Sequence, residues 1–160
     1  MLAAGGLILL GTIFLSVNRT FGNSSSVLIS TKLDVLAVSL AASIIEDATS
    51  KAFDANTVEN AIDDLDSLSQ TSALGPKPGV EVYPNFNDFD DYNGLSIVDS
   101  TTIEGMIFNV NCDVKYVNEN DAELVSTTPT WHKRITVRVS SDAMIDTVTI
   151  STVNSYFYFR

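Results

Sequence analysis

The sequence predicts an α+β fold: a long N-terminal helix, with an apolar half and an amphipathic half, packed on a C-terminal antiparallel β-sheet. Three observations predict it. Met1 to Asn18 carry no charge, the first ionisable side chain being Arg19. Apolar residues then recur at spacings of three and four from Ile29 to Ala48, the signature of a helix with one buried face. Beyond Gly75-Pro76-Lys77-Pro78-Gly79, which ends the helical half, the apolar period becomes two. A chain of 160 residues accommodates one domain and an appendage. The expected division is residues 1–26, an apolar membrane or filament-core helix with its link, and residues 27–160, a globular domain.

Taken from the start, Met1 to Val17 read MLAAGGLILLGTIFLSV. As a helix this stretch spans roughly 26 Å, the short end of what crosses a hydrocarbon layer of about 30 Å. A cleavable secretory signal needs a basic region before the apolar stretch and a small-residue cleavage site after it, and neither is present. A single-pass anchor fits the length, but no basic residue precedes it to set its orientation. A third reading, an N-terminus exposed by removal of a short basic leader, accounts for the missing basic residues and is preferred. The apolar side chains expected to associate are Leu2, Leu7, Ile8, Leu9, Leu10, Ile13, Phe14 and Leu15. Gly22-Asn23-Ser24-Ser25-Ser26 is poor helix sequence, and reads either as a break between two helical halves near 22–26 or as a plain surface loop.

From Val27 to Ala52 the stripe Ile29, Leu33, Leu36, Leu40, Ile44 and Ala48 is expected to pack on the sheet, with Lys32, Asp34, Ser39, Glu46 and Asp47 mostly off it. A second short helix is expected after Asn56, with Glu59 at capping-box distance and Val58, Ile62 and Leu65 on one face. Asp63, Asp64 and Asp66 would be its solvated side. In the second half, Met106 to Tyr116 alternate cleanly between apolar and polar, as a strand with one buried face does. Asn118 to Asp121 read as a turn. Lys133 to Val139 alternate again, with Ile135, Val137 and Val139 inward and Lys133, Arg134 and Arg138 taken as a solvated basic group. Asp146 to Val153 are rich in β-branched residues, and Tyr156-Phe157-Tyr158-Phe159 would close the chain as an aromatic strand.

Composition excludes several classes. The net charge of −11 disfavours nucleic acid, whose phosphates need a basic stripe. One cysteine, Cys112, forms no intramolecular disulfide and belongs to no metal-ligand spacing. His132 is the sole histidine, and no G-x-S-x-G, phosphate-loop, H-E-x-x-H or paired-cysteine motif accompanies it. No catalytic constellation is read, and no cofactor is expected beyond one open case. That case is the acidic run from Asn85 to Gly94, where Asp88, Asp90, Asp91 and Asn93 offer oxygen ligands of the kind calcium takes. The spacing is not that of an EF-hand, and the alternative is an acidic turn stabilised by its own backbone. Phe86, Phe89 and Tyr92 recur every third residue and would pin the run to the domain. Its crowded carboxylates then need calcium, backbone amides or Lys77 to offset their repulsion.

FNDFDDYNG at 86–94 contains an Asp-Asp-Tyr-x-Gly element similar to one in bacterial prepilin-like proteins. WHKRITVRV at 131–139, followed by DTVTIS at 146–151, is similar to their late strands. With the order of apolar N-terminus, amphipathic helix, loop and sheet, the chain resembles a type IV pilin or pseudopilin. That resemblance implies a structural subunit that sits in the inner membrane before assembly. Its partners are then copies of itself, in a helical surface filament built from N-terminal helices. It also implies leader cleavage and a methylated mature N-terminus. The family carries a glutamate at the fifth mature position, where this chain has Gly5. The alternative is a membrane-anchored extracytoplasmic binding module that does not polymerise.

Overall fold

The computed structural model describes residue 14, residues 29–102 and residues 105–157. Helix α1 occupies residues 29–49. Five strands follow: β1 (Ser96–Asp99), β2 (Phe108–Asn118), β3 (Asp121–Val125), β4 (His132–Ser140) and β5 (Val148–Ser155). All pairings are antiparallel, in the order β1-β2-β4-β5, with β3 folded back on the end of β2.

The expected fold needs correction at its N-terminal end. Among the described residues the helix that packs on the sheet covers 29–49, and no helix is long and apolar enough to cross a membrane. The physical reason is composition, since Lys32, Asp34, Glu46 and Asp47 punctuate α1. The apolar half, the break near 22–26 and the link lie outside the described residues.

The sheet buries one face. Strand β2 alternates, with Phe108, Val110, Cys112, Val114 and Tyr116 buried. In the β2–β4 register Val110 opposes Val139, Cys112 opposes Val137, Val114 opposes Ile135 and Tyr116 opposes Lys133. These inward rows meet Leu33, Ala37, Ala41, Ile44 and Ala48 of α1 in one apolar core. Three alanines on that face let the helix backbone lie close to the sheet. The contact stripe is therefore turned from the expected one: Ile29 is exposed, and Leu36 and Leu40 are only partly buried.

The second expected helix is absent. Residues 55–57 form a single 3-10 turn capped by the Asp54 side chain, with Thr57 closing a capping box back to Asp54. The chain then runs irregularly to 3-10 turns at Leu65–Ser67 and Thr71–Ala73. The Ile62 N–H donates to the Tyr156 hydroxyl rather than to a helical carbonyl. That same bond takes Tyr156 out of the sheet. The final strand ends at Ser155, Tyr156 stacks on Trp131 with ring centroids 5.5 Å apart, and Phe157 is exposed.

Candidate functional site: a buried lysine among aspartates

Four chain segments meet beneath the lower end of the β2–β4 pair. After α1 the chain forms an isolated parallel bridge between Ala52 and Asp88. Ala52 N–H donates to Asn87 O at 3.3 Å, and Phe89 N–H donates to Ala52 O at 2.8 Å. This bridge lays Phe53 and Asp54 beside the acidic run. The run is itself drawn inward by Phe86, Phe89 and Tyr92, all buried. Phe86 and Tyr92 meet edge to face at 5.0 Å, and the Tyr92 hydroxyl donates to the Asp47 carboxylate of α1. The remaining two segments are β2 and β4, which supply the last inward pair of the sheet, Tyr116 and Lys133.

Lys133 is 0% exposed. Its three N–H donors are all engaged: Phe53 O at 2.9 Å, Asp54 Oδ2 at 2.7 Å and Asp90 Oδ1 at 2.5 Å. The rings of Phe53 and Tyr116 flank the ammonium, with centroids 4.6 and 5.0 Å away, an arrangement that stabilises a desolvated cation. Lys133 is thus not part of a solvated basic group. It shares strand parity with Ile135, Val137 and Val139, and that parity carries it inside.

The carboxylates differ in their settings. Asp54 accepts from the Asn56 and Ser69 N–H groups and from Ser69 Oγ at 2.9 Å, and it lies 3.1 Å from the Tyr116 hydroxyl, which also reaches Ser69 O at 2.9 Å. Burial alone would raise its pKa. The Lys133 charge and these hydrogen bonds outweigh burial, and the net shift is downward. Asp90 is raised, chiefly by burial, with Lys133 opposing. Asp91 Oδ2 accepts from the Asn87 and Asp88 N–H groups at 3.1 and 3.4 Å. Asp88 Oδ1 accepts from the Asp90 and Asp91 N–H groups at 3.0 and 3.2 Å, while its Oδ2 is buried without a donor. Burial first, and then the charges of Asp90 and Asp91, push Asp88 up to about 8. Asp88 therefore holds its proton well above the ordinary carboxylate range, on a carboxyl whose second oxygen has no partner.

Of the four residues expected as calcium ligands, the structure brings three aspartates into one turn but sends their oxygens to different partners. Asn93 is used elsewhere: its Nδ2 donates to Leu74 O at 3.0 Å, and its Oδ1 accepts from the Val114 N–H at 3.0 Å. Among the described residues no group of three His, Cys, Asp or Glu side chains is placed to hold a metal ion. Lys77 lies 3.6 Å from Glu81. The charge that faces the acidic run is that of Lys133, and backbone amides supply the rest. Of the apolar assembly residues, Phe14 is described and is 70% exposed, while Leu2, Leu7, Ile8, Leu9, Leu10, Ile13 and Leu15 lie outside the described residues. Cys112 is buried, and burial pushes its thiol up to about 12. His132 Nδ1 lies 2.7 Å from Ser155 Oγ, joining β4 to β5 beside a shallow pocket lined by Ile62, Asp63, Trp131 and Tyr156.

The protonated Asp88 gives a test. Between the ordinary carboxylate range and about pH 8 the folded state holds a proton that the unfolded state has lost. Stability therefore falls as pH rises through that window and levels off above it. The groups facing Asp88 are Asp90 and Asp91 of its own turn, and beyond them Lys133, Asp54 and Tyr116. Asp88→Asn keeps the Oδ1 acceptor and replaces the acid proton by an amide donor. It is expected to raise stability at pH 8 by on the order of 1–3 kcal/mol and to flatten the decline. The residual slope belongs to Asp90 and Asp91. Urea unfolding from pH 5 to 9 measures this, and an unchanged slope in the variant would refute a protonated Asp88.

No protein-family model, curated protein or solved structure matches the chain.

Proposed function

We propose that the chain is a structural subunit of an extracellular filament of the type IV pilus or pseudopilus kind, held at the membrane before assembly. The observation that carries this reading is a second apolar face on α1. Val35 and Val38 are 63% and 45% exposed. With Ala42 they lie at spacings of three and four on the side turned away from the sheet. An amphipathic helix on a sheet needs one apolar face, so a second calls for another packing partner. In the sequence this helix follows the uncharged residues 1–18, and a second copy of the same chain supplies matching apolar surface for both.

Removing apolar side chains from water contributes about 1.5–3 kcal/mol each, and a charge set among them opposes that association. Leu9→Asp in the uncharged segment and Val38→Asp on the exposed face are each expected to abolish filaments. Neither should alter urea unfolding of the domain, because Val38 lies outside the core. Electron microscopy of sheared surface material reads the first effect. Normal filaments from both variants would refute the reading. A native protein that stays monomeric once freed of detergent would favour a membrane-anchored binding module instead.

A further inference from the structure

We propose that Lys133 and Asp90 condense within the folded domain to form an intramolecular isopeptide bond, a covalent cross-link between β4 and the acidic turn. The components of that reaction are already in contact. Lys133 Nζ and Asp90 Oδ1 are 2.5 Å apart, both side chains are almost wholly buried, and the two residues are 43 apart in sequence. Such fixed contact replaces a bimolecular encounter, and well-oriented intramolecular reactions reach effective concentrations of about 10⁵–10⁸ M.

The neighbours supply the proton transfers. Asp54 Oδ2, 2.7 Å from Nζ, takes one proton from the ammonium transiently, against the hydrogen bonds that favour its anion, and leaves a neutral amine. Asp88, whose Oδ1 accepts from the Asp90 N–H at 3.0 Å and whose buried Oδ2 has no partner, gives its proton to the Asp90 carboxylate and leaves Asp90 a neutral acid. The amine nitrogen then attacks Asp90 Cγ, forming the C–N bond. The C–O bond to the protonated oxygen breaks, and that oxygen departs as water with a proton from nitrogen. Asp54 finally returns its proton to Asp88. The sum is ammonium plus carboxylate giving amide plus water, with no oxidant, reductant or external group. The buried rings of Phe53, Tyr116 and Phe89 keep bulk water from the product.

Asp90 is the acyl partner rather than Asp54. Asp54 is held as an anion by Ser69, Asn56 and Tyr116, which lowers its reactivity toward an amine. Asp90 receives one such contact, from Lys133. The buried oxygen of Asp88 that lacks a donor is the proton source beside it. A free ion pair leaves that oxygen unexplained.

The test is peptide mapping of the full-length chain purified folded from cells, digested with trypsin after denaturation. The expected product is a branched species in which the peptide bearing Lys133 is joined to the peptide bearing Asp90. Its mass is lower than the sum of the two by one water. Lys77 precedes Pro78, so Asp54 and Asp90 fall in one tryptic peptide, and fragmentation assigns the branch point. Asp90→Ala should abolish the species, and Asp88→Asn should slow its appearance after refolding at least tenfold. Recovery of unmodified Lys133 and Asp90 peptides in full yield from the wild-type chain overturns the proposal, whether or not the variants fold. A branch mapped to Asp54 overturns it equally.

Discussion

Replacing Lys133 by methionine is expected to lower the unfolding free energy by about 3–5 kcal/mol at neutral pH, the cost of removing one partner from a buried ion pair. Methionine fills a similar volume, so little of this comes from packing. Compared with wild-type chain in which the Lys133–Asp90 link has not formed, what remains is electrostatic: Asp54 and Asp90 stay buried and face each other without a cation. The pH dependence separates this cause from a cavity. In the wild type, Asp54 has a pKa below its ordinary value. Its contribution is present above the unfolded value, near 3.9, and is lost as pH falls through the folded value. The variant lacks that contribution. The gap between the two chains should thus be wide at pH 7 and narrow on acidification. Urea unfolding followed by Trp131 fluorescence at pH 7 and at about pH 2, below the ordinary carboxylate range, measures it. A gap of equal size at both would assign the loss to packing.

How much of this site could be read from the sequence is clearest at Lys133 itself. The alternation of Lys133, Ile135, Val137 and Val139 is visible in the one-letter code, and period two puts all four on one face. Charge points the other way, toward solvent for the lysine together with Arg134 and Arg138. Parity wins because Asp54 and Asp90 arrive on that face from 79 and 43 positions away, and no local pattern announces such contacts. Asp54 was hidden for the same reason, in a stretch that reads as the start of a second helix. The acidic turn was half legible. The spacing of Phe86, Phe89 and Tyr92 marks it as anchored, and all three are buried. The direction of its carboxylates is set by the Ala52–Asp88 bridge, a tertiary fact. On α1 the period was readable but the phase was not, because leucines outweigh alanines in any hydrophobic reading. Close approach to a sheet selects Ala37, Ala41 and Ala48.

The aromatic anchor at Phe89 should be the most costly apolar truncation in the acidic turn. Phe89→Ala is expected to lose about 3–5 kcal/mol, the range for buried aromatic-to-alanine changes that leave a cavity. Phe89 is 0% exposed, in the cluster that joins α1 to the inward rows of β2 and β4. Its backbone N–H holds the bridge to Ala52 at 2.8 Å, so the surroundings are fixed from both sides and cannot collapse into the gap. Phe89→Leu restores much of the volume and should cost clearly less. Phe157→Ala removes the same ring from a position 71% exposed and should stay within about 0.5 kcal/mol of wild type. Because Phe89 lies between Asp88 and Asp90, loosening it also shifts Asp90 relative to Lys133. The branched Lys133 peptide should then form more slowly in Phe89→Ala than in Phe157→Ala. Urea unfolding of the three variants checks the order, and equal losses at Phe89 and Phe157 would show that the turn is not anchored through its aromatic side.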